Sequence, residues 1–313
     1  MSQHLISSRS KKDIDTLADK ILRGLGYPEP PLYLEHVREL LKLDRQYYSS
    51  TDPSVFKEFV NKLTVAGKQI KKRPMLLLEA IKNLDLKALF ILDGKRILID
   101  ESQPQLKHRW NEIHEVGHVI IPWHEDLLYG DTEQSLSPSY RDVLEAEANY
   151  CGGRLLFLGE KFISESRDVQ SSIASVKKLA SRYHNTITSS LWRFVEASVT
   201  PTIALVSGHP LLSCGPFAQA EEMCKHSIYS SSYVSMFGTP DGNIFMPEIA
   251  NYCGNRKRGP LGSGEIIITD LNGAKHLFEF ETFHNTHQAI SLGNYVRPEN
   301  KIFYFPQNGL PQH

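Results

Sequence analysis

Cysteine is sparse in this 313-residue chain: Cys151, Cys214, Cys224 and Cys253 are its four, and none form a Cys-x-x-Cys pair. A reducing cytoplasm fits this usage best, with the thiols as ordinary buried side chains. An excess of one charge is also missing. Lys+Arg number 35 against 36 Asp+Glu, a formal −1, so the total shows no electrostatic footprint for nucleic acid or an acidic membrane. No stretch approaches the roughly 18 uninterrupted apolar residues of a membrane span. The N-terminal residues lack the apolar core and small-residue cleavage site of a secretory signal. Membrane insertion and secretion are both disfavoured. Fixed-period repeats and low-complexity tracts are absent too. What remains is an ordinary globular composition, 41% hydrophobic and 23% charged, long enough for one large domain or two smaller ones.

Residues 1–11 are polar and expected to be loosely ordered. From Asp13 to Leu25, apolar residues at helical spacing (Ile14, Leu17, Ala18, Ile21, Leu22, Leu25) precede Gly26 as a stop signal. Tyr27-Pro28-Glu29-Pro30-Pro31 is a rigid connector. Further helices are expected from about Leu34 to Leu43 and from Val55 to Ile70. The rhythm then changes. Two β-rich runs between Leu86 and Asp100 flank Asp93-Gly94 and read as a hairpin. Ser172 to about Ala197 is helical again, whereas residues 201–313 are richer in Gly and Pro. There, Gly264 to Phe280 reads as a hairpin turning at Asn272-Gly273. A boundary is placed near residue 200, between a domain at 12–200 and a β-rich C-terminal domain at 201–313.

The chemistry concentrates at Trp110-Asn111-Glu112-Ile113-His114-Glu115-Val116-Gly117-His118. Four residues apart on a helix, His114 and His118 share a face and can point two imidazole nitrogens at one metal. Glu115 can reach a water activated by that metal and act as the general base. The apolar residues Ile113, Val116, Val119 and Ile120 suit a buried site. Gly117 costs about 1 kcal/mol of helix stability relative to Ala. A close-packed neighbour or a substrate backbone would account for it.

Zinc in a peptidase calls for a third protein ligand and an open fourth position. His124 has the spacing of His-Glu-x-x-His-x-x-Gly-x-x-His. Ile121, however, stands where that pattern needs glycine, and a β-branched residue resists the left-handed turn. The alternative is a second helix beginning at Ser137-Pro138, a good N-cap followed by a good first residue. It carries Glu145, Glu147 and Asn149. Glu145 and Asn149 share a face, while Glu147 points roughly 200° from Glu145. Glu145 is the preferred ligand, with Asn149 placed to hydrogen-bond a ligating histidine, and Glu147 is the reserve. Tyr129, Tyr140 and His184 are candidates for stabilising an oxyanion, and spacing does not choose among them.

These residues resemble the ImmA/IrrE metallopeptidases. The shared features are an aromatic (Trp110) before His114-Glu115-Val116-Gly117-His118, the apolar tail Val119-Ile120-Ile121, then Glu145-Ala146-Glu147-Ala148-Asn149 and Leu155-Leu156. Cys151-Gly152-Gly153 departs from the family's Phe-Ala-Ala. The resemblance covers roughly residues 12–200. It implies an α+β fold, a mainly helical zincin-like domain with a small sheet, one Zn2+, and an edge strand that holds substrate by backbone pairing. It also implies a protein substrate of regulatory kind, such as a transcriptional repressor.

Two rival readings stand beside it. The segment 175–197 has a helix-turn-helix flavour, yet Arg193 is the one cation of its second helix, a poor phosphate footprint. The other is a zinc-retaining regulatory module without proteolysis. His108, Arg109 and the Lys71-Lys72-Arg73 run read as solvated surface.

Overall fold

The computed structural model describes residues 6–48, 88–91, 96–100, 105–124, 138–213 and 223–299. The helix expected over Val55 to Ile70, the Lys71–Arg73 run, Tyr129 and Cys214 lie outside them. The fold is α+β. It divides into two compact units, residues 1–162 with 181–185, and residues 163–180 with 186–313.

The first unit opens with helix α1 (Ser8–Gly24), whose N-cap Ser7 accepts from the Ser10 N–H at 3.0 Å. That cap starts regular structure at Ser8, inside the stretch expected to be loose. Ile14, Ala18 and Leu22 form its buried face, and Gly26 follows at φ 72°. Helix α2 (Leu34–Leu41) buries Leu34 and Val37. Three strands follow: β1 (Asp44–Tyr48), β2 (Ala88–Ile91) and β3 (Arg96–Asp100), in the order β1-β3-β2. β2 and β3 are the expected antiparallel pair, Ala88 opposite Ile99 and Ile91 opposite Arg96. β1 runs parallel to β3. Its sequence, Asp-Arg-Gln-Tyr-Tyr, lacks apolar alternation and gives no such signal. Central β3 buries Ile97 and Ile99 and precedes helix α3 (Gln105–Ile120), the 3-10 turn Pro122–His124 and helix α4 (Pro138–Leu156). α4 begins where Ser137-Pro138 predicts.

Helix α5 (Glu160–Arg167) leads into the second unit. Helices α6 (Ile173–Arg182) and α7 (Ile187–Ala197) are followed by β4 (Thr202–Ser207), α8 (Pro210–Ser213), β5 (Cys224–Tyr229), α9 (Ser231–Phe237) and α10 (Met246–Tyr252). Strands β6 (Gly259–Thr269), β7 (Lys275–His284) and β8 (Ala289–Pro298) complete it. The five strands make one antiparallel sheet, β5-β4-β8-β7-β6. The hairpin at Asn272-Gly273 is present, with Gly273 at φ 83° and Asp270 accepting from the Asn272 and Ala274 N–H groups.

The units part after Phe162 and not near residue 200 because most of α6 and all of α7 belong with this sheet. The Ile173 N–H donates to the Glu281 carboxylate and Lys177 lies over the Phe283 ring. α7 packs on β4 and β5 and buries Leu191, Phe194 and Val195. Arg193 is paired with Glu196 at 2.9 Å. Among the described residues, no helix is long and apolar enough to cross a membrane.

Candidate metal centre

The site grows from α3 and α4, which pack directly against each other. Ile113, Val116, Leu144 and Ala148 are buried to within 1% of zero exposure. Gly117 faces the Ala148 backbone, the close neighbour its helix penalty calls for, and Gly152 faces Ile113. The departure at Cys151-Gly152-Gly153 thus places a side-chain-free position against α3.

A buried carboxylate anchors α3 from its other neighbours. Glu112 pairs with Arg38 of α2 and, at 2.9 Å, with Arg45 of β1. The sequence hint was slight: one acid two residues before His114, next to the apolar Ile113. Arg109, read as surface, is partly buried and donates to the Leu32 carbonyl at 2.7 Å. α4 is tied to α1 by Asp15, which accepts from Tyr150 at 3.0 Å and pairs with Arg154 at 2.7 Å.

On this frame His114 and His118 bring their Nε2 atoms to 3.2 Å. The Glu145 carboxylate lies 3.1 Å from His114 Nε2 and 3.7 Å from His118 Nε2. One ligand atom from each of the three residues falls within 4.8 Å of the others. Asn149 Oδ1 is 3.1 Å from His114 Nδ1. An amide oxygen can only accept, so Nδ1 carries the proton and Nε2 turns a lone pair towards His118. Two imidazole nitrogens and a carboxylate converging in this way suit a cation. Donors about 2.0–2.1 Å from a tetrahedral ion stand about 3.4 Å apart, the scale observed here.

The electrostatics follow from burial and neighbours. Burial pulls His114 down, but Glu145, Glu115 and Asn149 together outweigh it and hold its pKa above the ordinary value. His118 is driven down to about 3, first by burial and then by the neighbouring His114. Glu115 is buried at 8% exposure, whereas the Glu145 side chain is 57% exposed.

The remaining candidates separate. Among the described residues, neither His124 nor Glu147 belongs to the converging group. His124 Nδ1 lies 2.9 Å from His118 Nδ1, on the side of the ring away from Glu145. Glu147 sits behind it, 3.1 Å from His124 Nε2, and accepts from Trp123 Nε1 at 2.6 Å. His184 is exposed, after α6, at φ 51°.

Residues 74–190 match Peptidase_M78, the IrrE N-terminal-like domain. Over this stretch the chain is similar to that domain. That domain points to a metallopeptidase family, and His114, His118 and Glu145 of this chain form a cluster able to hold a metal. In fold the chain is similar to a Mycobacterium tuberculosis transcriptional regulator, with a TM-score of 0.50 at 12% identity, over 91% of this chain and 88% of that one. No curated protein matches the chain.

Proposed function

We propose that the chain is a zinc-dependent endopeptidase that cleaves a regulatory protein, such as a transcriptional repressor, in the cytoplasm. The observation that carries this reading is the convergence of His114 Nε2, His118 Nε2 and the Glu145 carboxylate, with the buried Glu115 next in sequence to His114. His114, His118 and Glu145 would hold one Zn2+. Bound there, zinc supplies Lewis acidity, lowering the pKa of a water and polarising the scissile carbonyl. Glu115 takes the proton of the attacking water and returns it to the leaving amine. Burial of Glu115 keeps its charge poorly screened and its field strong. β2 pairs with β3 alone among the described strands, which leaves its outer edge to receive an extended substrate backbone. The regulatory character of the substrate is supported by the resemblance to the ImmA/IrrE metallopeptidases.

The test is metal analysis of the purified protein together with capture of partners by Glu115→Gln. One zinc per chain in both proteins, with a partner that accumulates on the variant and is cleaved by the wild type, is the expected result. A wild type that takes up no zinc at any supply overturns the reading. A trapped partner that the wild type never cleaves leaves a zinc-holding binding module in its place.

A further inference from the structure

We propose that His124 and Glu147 are positioning residues that orient His118 towards the metal through a directed chain of hydrogen bonds, an inference that rests on the metal reading above. The direction is fixed from the far end. A carboxylate can only accept, so the 3.1 Å contact between His124 Nε2 and Glu147 Oε2 puts the His124 proton on Nε2. A neutral His124 then presents a bare Nδ1. His118 Nδ1, 2.9 Å away, must donate to it. The proton is thereby held on the rear nitrogen of His118, and the Nε2 lone pair faces His114 and Glu145. His114 reaches the same state through the Asn149 amide. The two ligands are oriented by different groups, one through a single amide and the other through an imidazole backed by a carboxylate.

The local chain path explains how a residue six positions downstream gets behind His118. Pro122 cannot donate to the helical ladder, and the 3-10 turn Pro122–His124 follows, with the His124 N–H on the Ile121 carbonyl at 3.1 Å. That turn tucks the imidazole into the interior at 0% exposure, with Glu147 at 2%. At such burial, solvent is a poor substitute for either partner. Trp123 Nε1 holds the Glu147 oxygen from a second side. A histidine present only for packing would not need its two nitrogens matched to a donor on one side and an acceptor on the other. Outer partners of this kind set the tautomer and ring orientation of a ligand.

The experiment uses the full chain, stripped of metal and titrated with zinc against a chromophoric chelator, and with cobalt as a spectroscopic probe. His124→Phe keeps the ring volume and removes the acceptor. His124→Asn restores an acceptor near the Nδ1 position but cannot reach Glu147. The expected loss of zinc affinity in His124→Phe is about 10–100-fold, with a shifted cobalt spectrum, and His124→Asn recovers most of the affinity. Glu147→Gln keeps an acceptor while removing the charge, and is expected to lose about tenfold.

Wild-type affinity and spectrum in a folded His124→Phe overturn the proposal. If His124→Phe does not fold, unchanged affinity and spectrum in Glu147→Gln do so. Zinc loss in His124→Phe as complete as in Glu145→Ala, without recovery in His124→Asn, makes His124 a ligand and also overturns it. A wild type without zinc fails the metal reading itself and takes the proposal with it, a result distinct from all the others.

Discussion

A Cβ on Gly117 would lie 2.8 Å from the Ala148 carbonyl oxygen and 3.2 Å from the Ala148 Cα. The donors of the proposed metal site come from both sides of this contact, His114 and His118 from α3 and Glu145 from α4. Glycine between the two histidines therefore sets how closely the carboxylate can approach them. The neighbour is backbone, which cannot swing aside as a flexible side chain could.

Gly117→Ala accordingly opposes two effects. Alanine favours the helix by about 1 kcal/mol, while overpacking at a fixed backbone costs about 1–3 kcal/mol. A net loss of stability is expected, with weakened zinc binding because Glu145 is displaced. Gly152→Ala meets Ile113 Cγ2 at 3.1 Å and the Ile113 carbonyl oxygen at 3.3 Å, milder contacts than the 2.8 Å at Gly117. Thermal melting and zinc titration of the two variants should rank Gly117→Ala as the more damaging. The reverse ranking would refute the account.

Glu145→Ala should lose stoichiometric zinc, since it leaves two nitrogens where a closed set needs a third protein donor. Glu115→Gln should keep the zinc and lose about 10²–10⁴-fold in hydrolysis, the usual range for a general base. Metal content by elemental analysis and turnover of the trapped partner check both. Retained zinc in Glu145→Ala would remove that residue from the ligand set.

Glu112 gives a prediction of a different kind. Its side chain is 2% exposed between Arg38 and Arg45, and Glu112→Ala leaves two guanidinium groups without their shared carboxylate. A loss of about 3 kcal/mol is expected, read in urea unfolding. A loss below about 1 kcal/mol would mean the cluster behaves as a surface pair.

Stability should also depend on pH through Glu281. Burial raises its pKa, against the Ile173 N–H that lowers it, and the charge of Glu279 raises it further. A carboxylate with a raised folded pKa contributes stability below its unfolded value, and loses that contribution as pH rises through the folded value. Glu281→Gln still accepts from Ile173 and never ionises. It should melt higher than the wild type at pH 7, with the difference vanishing near pH 4, about the ordinary carboxylate value. An equal gain at both pH values would point to a cause other than ionisation.

Much of the first unit was legible because its signals are local. The helix start at Pro138, the apolar period of α1 and the antiparallel pairing of β2 with β3 each need only a few neighbouring residues. The shared face of Glu145 and Asn149 is likewise helix geometry, and the Asn149 contact with His114 follows from it. β1 was missed because parallel pairing with β3 is non-local and its polar sequence carries no alternation. The place of His124 was missed for a related reason. Its spacing matches a ligand pattern, whereas what fixes it is the turn at Pro122 and a carboxylate 23 residues further along. The boundary near residue 200 moved because apolar stripes on α6 and α7 announce burial without naming what covers them.

Residues 181–185 return to the first unit after 163–180 have joined the second. Within that short return Tyr183 is fully buried, its ring 5.1 Å from Phe162 and 6.2 Å from Phe157. The backbone thus passes between the units three times, and no single cleavage of the chain yields both intact. Cutting after residue 162 takes Tyr183 from its aromatic partners, and cutting at 200 strips α6 and α7 of their sheet. Either fragment would expose apolar surface, so each unit depends on an uncut chain to keep its core covered.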